Sequence, residues 1–87
     1  MLSAQLPVRF KEPTNADRRE RAENAIRHYI ESRGEVYEGN SSEAADLIAD
    51  LLHWVAANDE GFEPVGSTLR LARMHFDAEH GNPEEEA

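Results

Sequence analysis

Histidines and the carboxylates close to them are the residues whose types could support chemistry. His75 and Glu79 stand four residues apart, a helical spacing at which two side chains can bind one metal ion. Asp50 and His53 stand three apart, and they could face the first pair if the two helices pack antiparallel. Imidazole and carboxylate ligands suit zinc, iron or manganese. One hypothesis is therefore a metal-binding helical protein that uses His53, His75 and Glu79.

The wider sequence favours no catalytic chemistry. It contains neither an HExxH motif nor a glycine-rich loop after a strand, and polar residues four apart are common along amphipathic helices. There is no cysteine, and each serine has a capping or turn explanation. We therefore expect a protein that is not an enzyme and has no cofactor and no bound metal. His53 and His75 would then hydrogen-bond carboxylates and fix helix packing.

The stretch from Asn40 to Asn58 is the element around which the others are expected to pack. Asn40 and Glu43 have the spacing of a capping box. At about 100° per residue, apolar side chains cover roughly 200° of this helix, with Trp54 on one flank. That arc is wider than contact with one neighbour requires. The pattern predicts a central helix between two others. The remaining, polar strip of this central helix carries Glu43, Asp46, Asp50 and His53.

Two further helices are predicted on either side of the central one. The first runs from Thr14, which has capping-box spacing with Asp17, to Arg33, and Gly34 suits its end. The third begins at Pro64 and ends at His80. The predicted core residues are Ala22, Ala25, Ile26, Tyr29 and Ile30 on the first helix, and Val65, Leu69, Ala72 and Phe76 on the third.

The predicted fold is therefore an all-α, three-helix domain over residues 14–81. An extended arm, residues 1–13, precedes it, and a disordered acidic tail, residues 82–87, follows it. The third helix has a second apolar face at Leu71, Met74 and Ala78. The arm or partial exposure could account for this face, and so could a homodimer or another partner.

Charge is unevenly distributed along the chain, whose net charge is −9. Residues 1–33 contain seven Lys or Arg and five Asp or Glu, whereas residues 34–63 contain eight acids and no Lys or Arg. Such a segment is attracted to basic surfaces and repelled by phosphate backbones, although acidity also serves solubility alone. With no signal-peptide or membrane-spanning pattern, we expect a soluble cytoplasmic protein without a membrane partner.

An alternative function is suggested by Arg18, Arg19 and Arg21 on the first helix. Helical arginines can follow a nucleic-acid groove, which would make the chain a DNA-binding regulator. The long connector after this helix and the acidic segment that follows do not fit a helix-turn-helix. Direct binding to nucleic acid is therefore not the favoured hypothesis.

Two runs, YEGNSSEAADLIADLLHW and LARMHFDAEHG, resemble a group of short, mostly uncharacterised helical proteins encoded by phages, plasmids and other mobile elements. The likeness covers about half the chain. It implies an accessory protein of a mobile element, a class that often blocks host nucleic-acid machinery such as CRISPR and restriction complexes. The residues that carry it are Asp46, Leu47, Asp50, Leu51, His53, Trp54, Ala72, Arg73, His75, Phe76, Ala78 and Glu79.

Taken with the charge distribution, this resemblance favours a non-enzymatic interaction protein. We expect it to bind a basic surface of a host protein or nucleoprotein complex and to inhibit or modulate it, as an anti-CRISPR protein does. The predicted partner-binding residues are Glu43, Asp46, Asp50, His53, Asp59, Glu60 and Glu63.

Overall fold

The computed structural model describes residues 13–81, and this part of the chain folds into three α-helices without a strand. Helix α1 spans Asn15–Ser32, α2 spans Ser41–Asn58 and α3 spans Pro64–His80. The all-α, three-helix prediction is confirmed. Apart from Pro13, the predicted arm and tail lie outside the described residues. None of the three helices is long and apolar enough to cross a membrane.

Side-chain caps fix the beginnings of α1 and α2. The Thr14 hydroxyl accepts a hydrogen bond from the Asp17 N–H at 3.1 Å, and the Asp17 carboxylate accepts one from the Thr14 N–H at 3.0 Å. Asn40 and Glu43 make the same exchange at the start of α2. Each cap satisfies backbone donors that have no partner inside the helix, so both predicted capping boxes are confirmed.

The connector between α1 and α2 is closed by one carboxylate. Glu43 accepts hydrogen bonds from the backbone N–H groups of Glu38, Gly39 and Asn40, at 2.8, 2.7 and 3.0 Å. Its side chain is consequently buried, with 8% of the residue exposed. The prediction that Glu43 lies on the exposed acidic strip is therefore wrong, because its carboxylate turns inward to these backbone donors.

Helix α2 packs against both other helices, as expected of the central element. Tyr29 in the second half of α1 reaches Asp46 and Asp50 in the first half of α2. At the opposite end of α1, the side-chain amide of Asn15 donates to the backbone carbonyl of Glu79 on α3 at 3.0 Å. The start of α1 thus meets the end of α3.

The helices leave much of their apolar surface open. Among the described residues, Ile30 of α1 is the buried hydrophobic side chain, with 2% exposed. Leu69 and Phe76 were expected in the core but remain about half exposed, as do Ile48 and Leu51 of α2. Ala22, Ala25 and Ala72 were also predicted in the core but are exposed, because the neighbouring helices cover the predicted apolar faces only in part.

The burial of Glu43 predicts a specific loss of stability at low pH. The N–H groups, that of Glu38 first, lower the pKa of this carboxyl group, with burial opposing the effect. A lowered folded-state pKa adds stability above the unfolded value of about 4.3, and this stability is lost as the pH falls through the folded pKa. We expect Glu43→Gln to lower Tm by roughly 5–10 °C at neutral pH.

Thermal unfolding followed by circular dichroism from about pH 6 to about pH 3 tests this expectation. The two Tm curves should converge at the acidic end, where the wild-type carboxylate becomes protonated. Glu38→Gln is the matched control, because it removes the same charge from an exposed side chain of the same connector. Equal Tm values for Glu43→Gln and Glu38→Gln at neutral pH would contradict the proposed role of Glu43.

Candidate interaction surface

Five carboxylates lie along α2 and the turn after it, and all five residues are exposed. Asp46 and Asp50 lie on α2, and Asp59, Glu60 and Glu63 follow in the turn before α3. We call these five residues the acidic surface. His53, also exposed, lies on α2 between its two parts. Of the seven predicted partner-binding residues, Glu43 alone is withdrawn from solvent.

Helix α1 holds the two α2 carboxylates in place. The Tyr29 hydroxyl donates to Asp50 Oδ2 at 2.5 Å, and Arg33 Nη1 lies 3.7 Å from Asp46 Oδ2. The Arg33 guanidinium also stacks over the Tyr29 ring, 4.9 Å from its centroid. Asp46 keeps more than half of its side chain exposed despite the ion pair. These contacts restrain both carboxylates while leaving Asp46 and Asp50 accessible to solvent.

The turn after α2 carries less constrained acids. Asp59 Oδ1 accepts a hydrogen bond from the Gly61 N–H at 2.8 Å, which orders the start of the turn. Within residues 13–81, Glu60 and Glu63 make no ion pair. No base in this part of the chain lies within ion-pair distance of either carboxylate. This end of the acidic surface is the more available one for a basic partner.

Two exposed aromatic side chains accompany these acids. Trp54 is 64% exposed, although its position on the apolar arc had suggested packing against a neighbouring helix, and Phe62 in the turn is 91% exposed. Trp54 borders a shallow hollow of about 570 Å³ together with Asp59 and Glu60. Large aromatic side chains are frequent anchors of protein interfaces. In the sequence, the position of Trp54 at the edge of the apolar arc could have indicated its exposure. For Phe62 the only such indication was its position in a turn.

The metal-site hypothesis finds no support in the described part of the chain. Among residues 13–81, no three histidine or acidic side chains gather closely enough to hold a metal ion. Glu79, one of the proposed ligands, lies 3.5 Å from the Arg18 guanidinium instead. His53, His75 and Glu79 therefore do not form the predicted ligand set.

The three arginines proposed for DNA binding differ in their surroundings. Arg18 is turned towards α3, where it pairs with Glu79, and it also hydrogen-bonds the Asn15 side chain at 2.8 Å. Arg19 lines an open cavity of about 390 Å³ between α1 and α3, beside Phe76. Arg21 is exposed. Because Arg18 is directed to a carboxylate, the positive potential of this face is reduced.

No protein-family model, no curated protein and no solved structure matches this chain. The likeness to short proteins of mobile elements therefore stays a prediction. The exposed carboxylates and aromatic side chains are the basis for assigning a function.

The contact between Tyr29 and Asp50 predicts a measurable titration. The hydrogen bond to the Asp50 carboxylate, with a smaller contribution from burial, raises the pKa of Tyr29 above its usual value of about 10. In a Tyr37→Phe background Tyr29 is the remaining tyrosine, so its ultraviolet absorbance can be titrated alone. We expect Asp50→Asn to lower the pKa of Tyr29.

Asp59→Asn is the control for this titration, because it also removes one negative charge from the acidic surface but does not contact Tyr29. It should leave the pKa of Tyr29 nearly unchanged. The same Tyr29 titration in the Asp50→Asn and parent proteins would show that α1 does not hold Asp50 in solution.

Proposed function

We propose that this chain is a non-enzymatic interaction protein that binds a basic surface of a host nucleic-acid-handling protein or complex and thereby inhibits it. The observation that supports this proposal is the exposed acidic surface, combined with Trp54 and Phe62 at its less neutralised end. Residues 34–69 contain no Lys or Arg that would weaken the negative potential of the acidic surface.

The acids and the aromatic side chains have separate roles in this proposal. Exposed charges steer a partner of opposite charge and select against partners of the same charge, although each adds little affinity at the solvated rim of an interface. Trp54 supplies apolar area that becomes buried on binding. The partner therefore needs Lys or Arg side chains around an apolar recess, as occurs where a protein binds both the phosphates and the bases of a nucleic acid.

Restraint of the α2 carboxylates favours such binding. Ordering long, free side chains at an interface costs about 0.5–1.5 kcal/mol each. Asp46 and Asp50 have short side chains that Arg33 and Tyr29 already orient. Less conformational entropy is then lost when a partner binds them. Glu60 and Glu63 can adjust to the position of the partner's cations.

The expected biological setting follows from the resemblance to proteins of mobile elements. A mobile element benefits when its accessory protein blocks host defence. By occupying the basic groove of a nucleoprotein complex, such a protein can block that complex without catalysis. More specifically, we propose inhibition of the anti-CRISPR type. The host partner and this chain would meet in the cytoplasm.

Affinity capture from a host-cell lysate tests the proposal. We expect the immobilised chain to retain nucleic-acid-binding proteins, and we expect added duplex DNA to displace them. Charge reversal in Asp59→Lys/Glu60→Lys should lower capture about tenfold or more, because it places like charges against the partner. Capture should also weaken steeply with salt. The readout is the quantity of each retained protein by mass spectrometry.

The matched control reverses two exposed acids on α1, in Glu20→Lys/Glu31→Lys. This variant has the same net charge as Asp59→Lys/Glu60→Lys but leaves the acidic surface intact, so its capture should remain within about twofold of wild type. Equal losses in both variants would mean that net charge alone governs capture. Unchanged capture in both would exclude the acidic surface as the binding site.

A further inference from the structure

Helix α3 carries a second apolar face whose two large side chains are more than half exposed. Leu71 is 52% exposed and Met74 is 64% exposed, and the small residues Ser67 and Ala78 lie one turn beyond them at either end. We call these four residues the α3 seam. Val65, which is half-buried, lies on the opposite side of the same helix.

The spacing of the α3 seam is that of a helix–helix contact. Its residues follow one another at intervals of four, three and four, so they occupy an arc of about 60° at 100° per residue. Such a narrow stripe is typical of the seam of a two-helix coiled coil, not of a helix buried in a core. Its two large side chains lie in the middle and its two small ones at the ends.

We propose that a second copy of this chain packs on the α3 seam, with the two α3 helices antiparallel. A two-fold axis at the centre of the seam then brings each large side chain against a large one and each small side chain against a small one. Leu71 of one copy contacts Met74 of the second copy, and Ser67 contacts Ala78. The contact uses the same surface on both copies.

The charged residues beside the seam favour the antiparallel orientation. Arg70 and Asp77 both lie on one flank of the seam, near its opposite ends. In an antiparallel pair the same flanks of the two helices meet, so Arg70 of one copy approaches Asp77 of the second. Among the described residues, Arg70 hydrogen-bonds the Ser67 hydroxyl at 3.2 Å and makes no ion pair, whereas Asp77 pairs with Arg73.

The acidic turn at the start of α3 gives a second reason for this orientation. A parallel pair would place Asp59, Glu60 and Glu63 of both copies side by side. An antiparallel pair separates the two turns by about the length of α3, whose 17 residues span roughly 26 Å. This distance exceeds the screening length of about 8–10 Å at physiological salt, so the two acidic turns no longer repel each other appreciably.

The size of the seam sets the strength of the contact. Two large side chains, two small ones and the aliphatic part of Arg70 bury roughly a few hundred Å² per copy, less than the roughly 800 Å² per partner of a standard stable interface. The dimer should therefore dissociate on dilution. The contact uses none of the residues of the acidic surface and not Trp54, so it does not rest on the proposed function.

Cysteine cross-linking of the full chain tests the proposal, because the natural sequence has no cysteine. Ser67→Cys and Ala78→Cys are conservative replacements of small exposed residues. In the antiparallel dimer, Cys at position 67 meets Cys at position 78 of the other copy, whereas two copies of the same variant hold their sulfurs about 16 Å apart along the helix. A disulfide requires Cα atoms within about 7 Å.

Mild oxidation should therefore cross-link a mixture of the two variants but neither variant alone. Cross-linking of each variant to itself would indicate a parallel pair and overturn the proposal. Absence of any cross-link, together with a monomeric mass at every concentration, would overturn the proposal as well.

Light scattering over a concentration series provides the second readout. The wild-type chain should pass from monomer to dimer as its concentration rises. Met74→Glu should stay monomeric with unchanged helical content by circular dichroism, whereas Met74→Leu should dimerise like wild type. A Met74→Glu protein that still dimerises would exclude the α3 seam as the interface.

Discussion

The position of α2 depends on the carboxylate of Glu43. Its two oxygens accept three consecutive backbone N–H groups, which closes the connector from α1 at the point where α2 begins. Without this anion the N–H groups of Glu38 and Gly39 would lose a charged acceptor, which is unfavourable. The same closure brings the first half of α2 to Tyr29 and Arg33 of α1, and it thereby fixes where Asp46 and Asp50 emerge on the surface.

Polar contacts of this kind contribute a large share of the stability of the fold because the apolar core is small. Ile30 is the fully enclosed hydrophobic side chain in residues 13–81, and the large apolar side chains of α2 and α3 remain partly open. Short helices are marginal in water unless tertiary contacts stabilise them. Burial of apolar side chains alone stabilises the helix ends only weakly. Two capping boxes and the Asn15 contact to α3 therefore add to the stability of these ends. The exposed apolar area is correspondingly available for partners.

The helix ends could be predicted from the sequence because their causes are local. Capping boxes, Pro64 at the first turn of α3 and Gly34 with a positive φ each act within a few residues. The exposure of Leu69 and Trp54 could not be predicted, since it depends on how far the helices diverge after they meet. Glu43 illustrates both cases: its capping role was evident from its spacing to Asn40, but its burial depends on the path of the connector.

The two proposed contacts, if both form, make one assembly with a definite geometry. The antiparallel α3 pair would carry one acidic turn at each end, separated by roughly the 26 Å length of the helix. A partner with two basic sites at a matching distance would then bind both turns, and the second contact would form at a high effective concentration. Weak rim electrostatics would thereby yield tight binding to a symmetric or repetitive nucleoprotein complex. A host protein with a single basic groove would gain no such advantage, so dimerisation would favour an extended target over an isolated one.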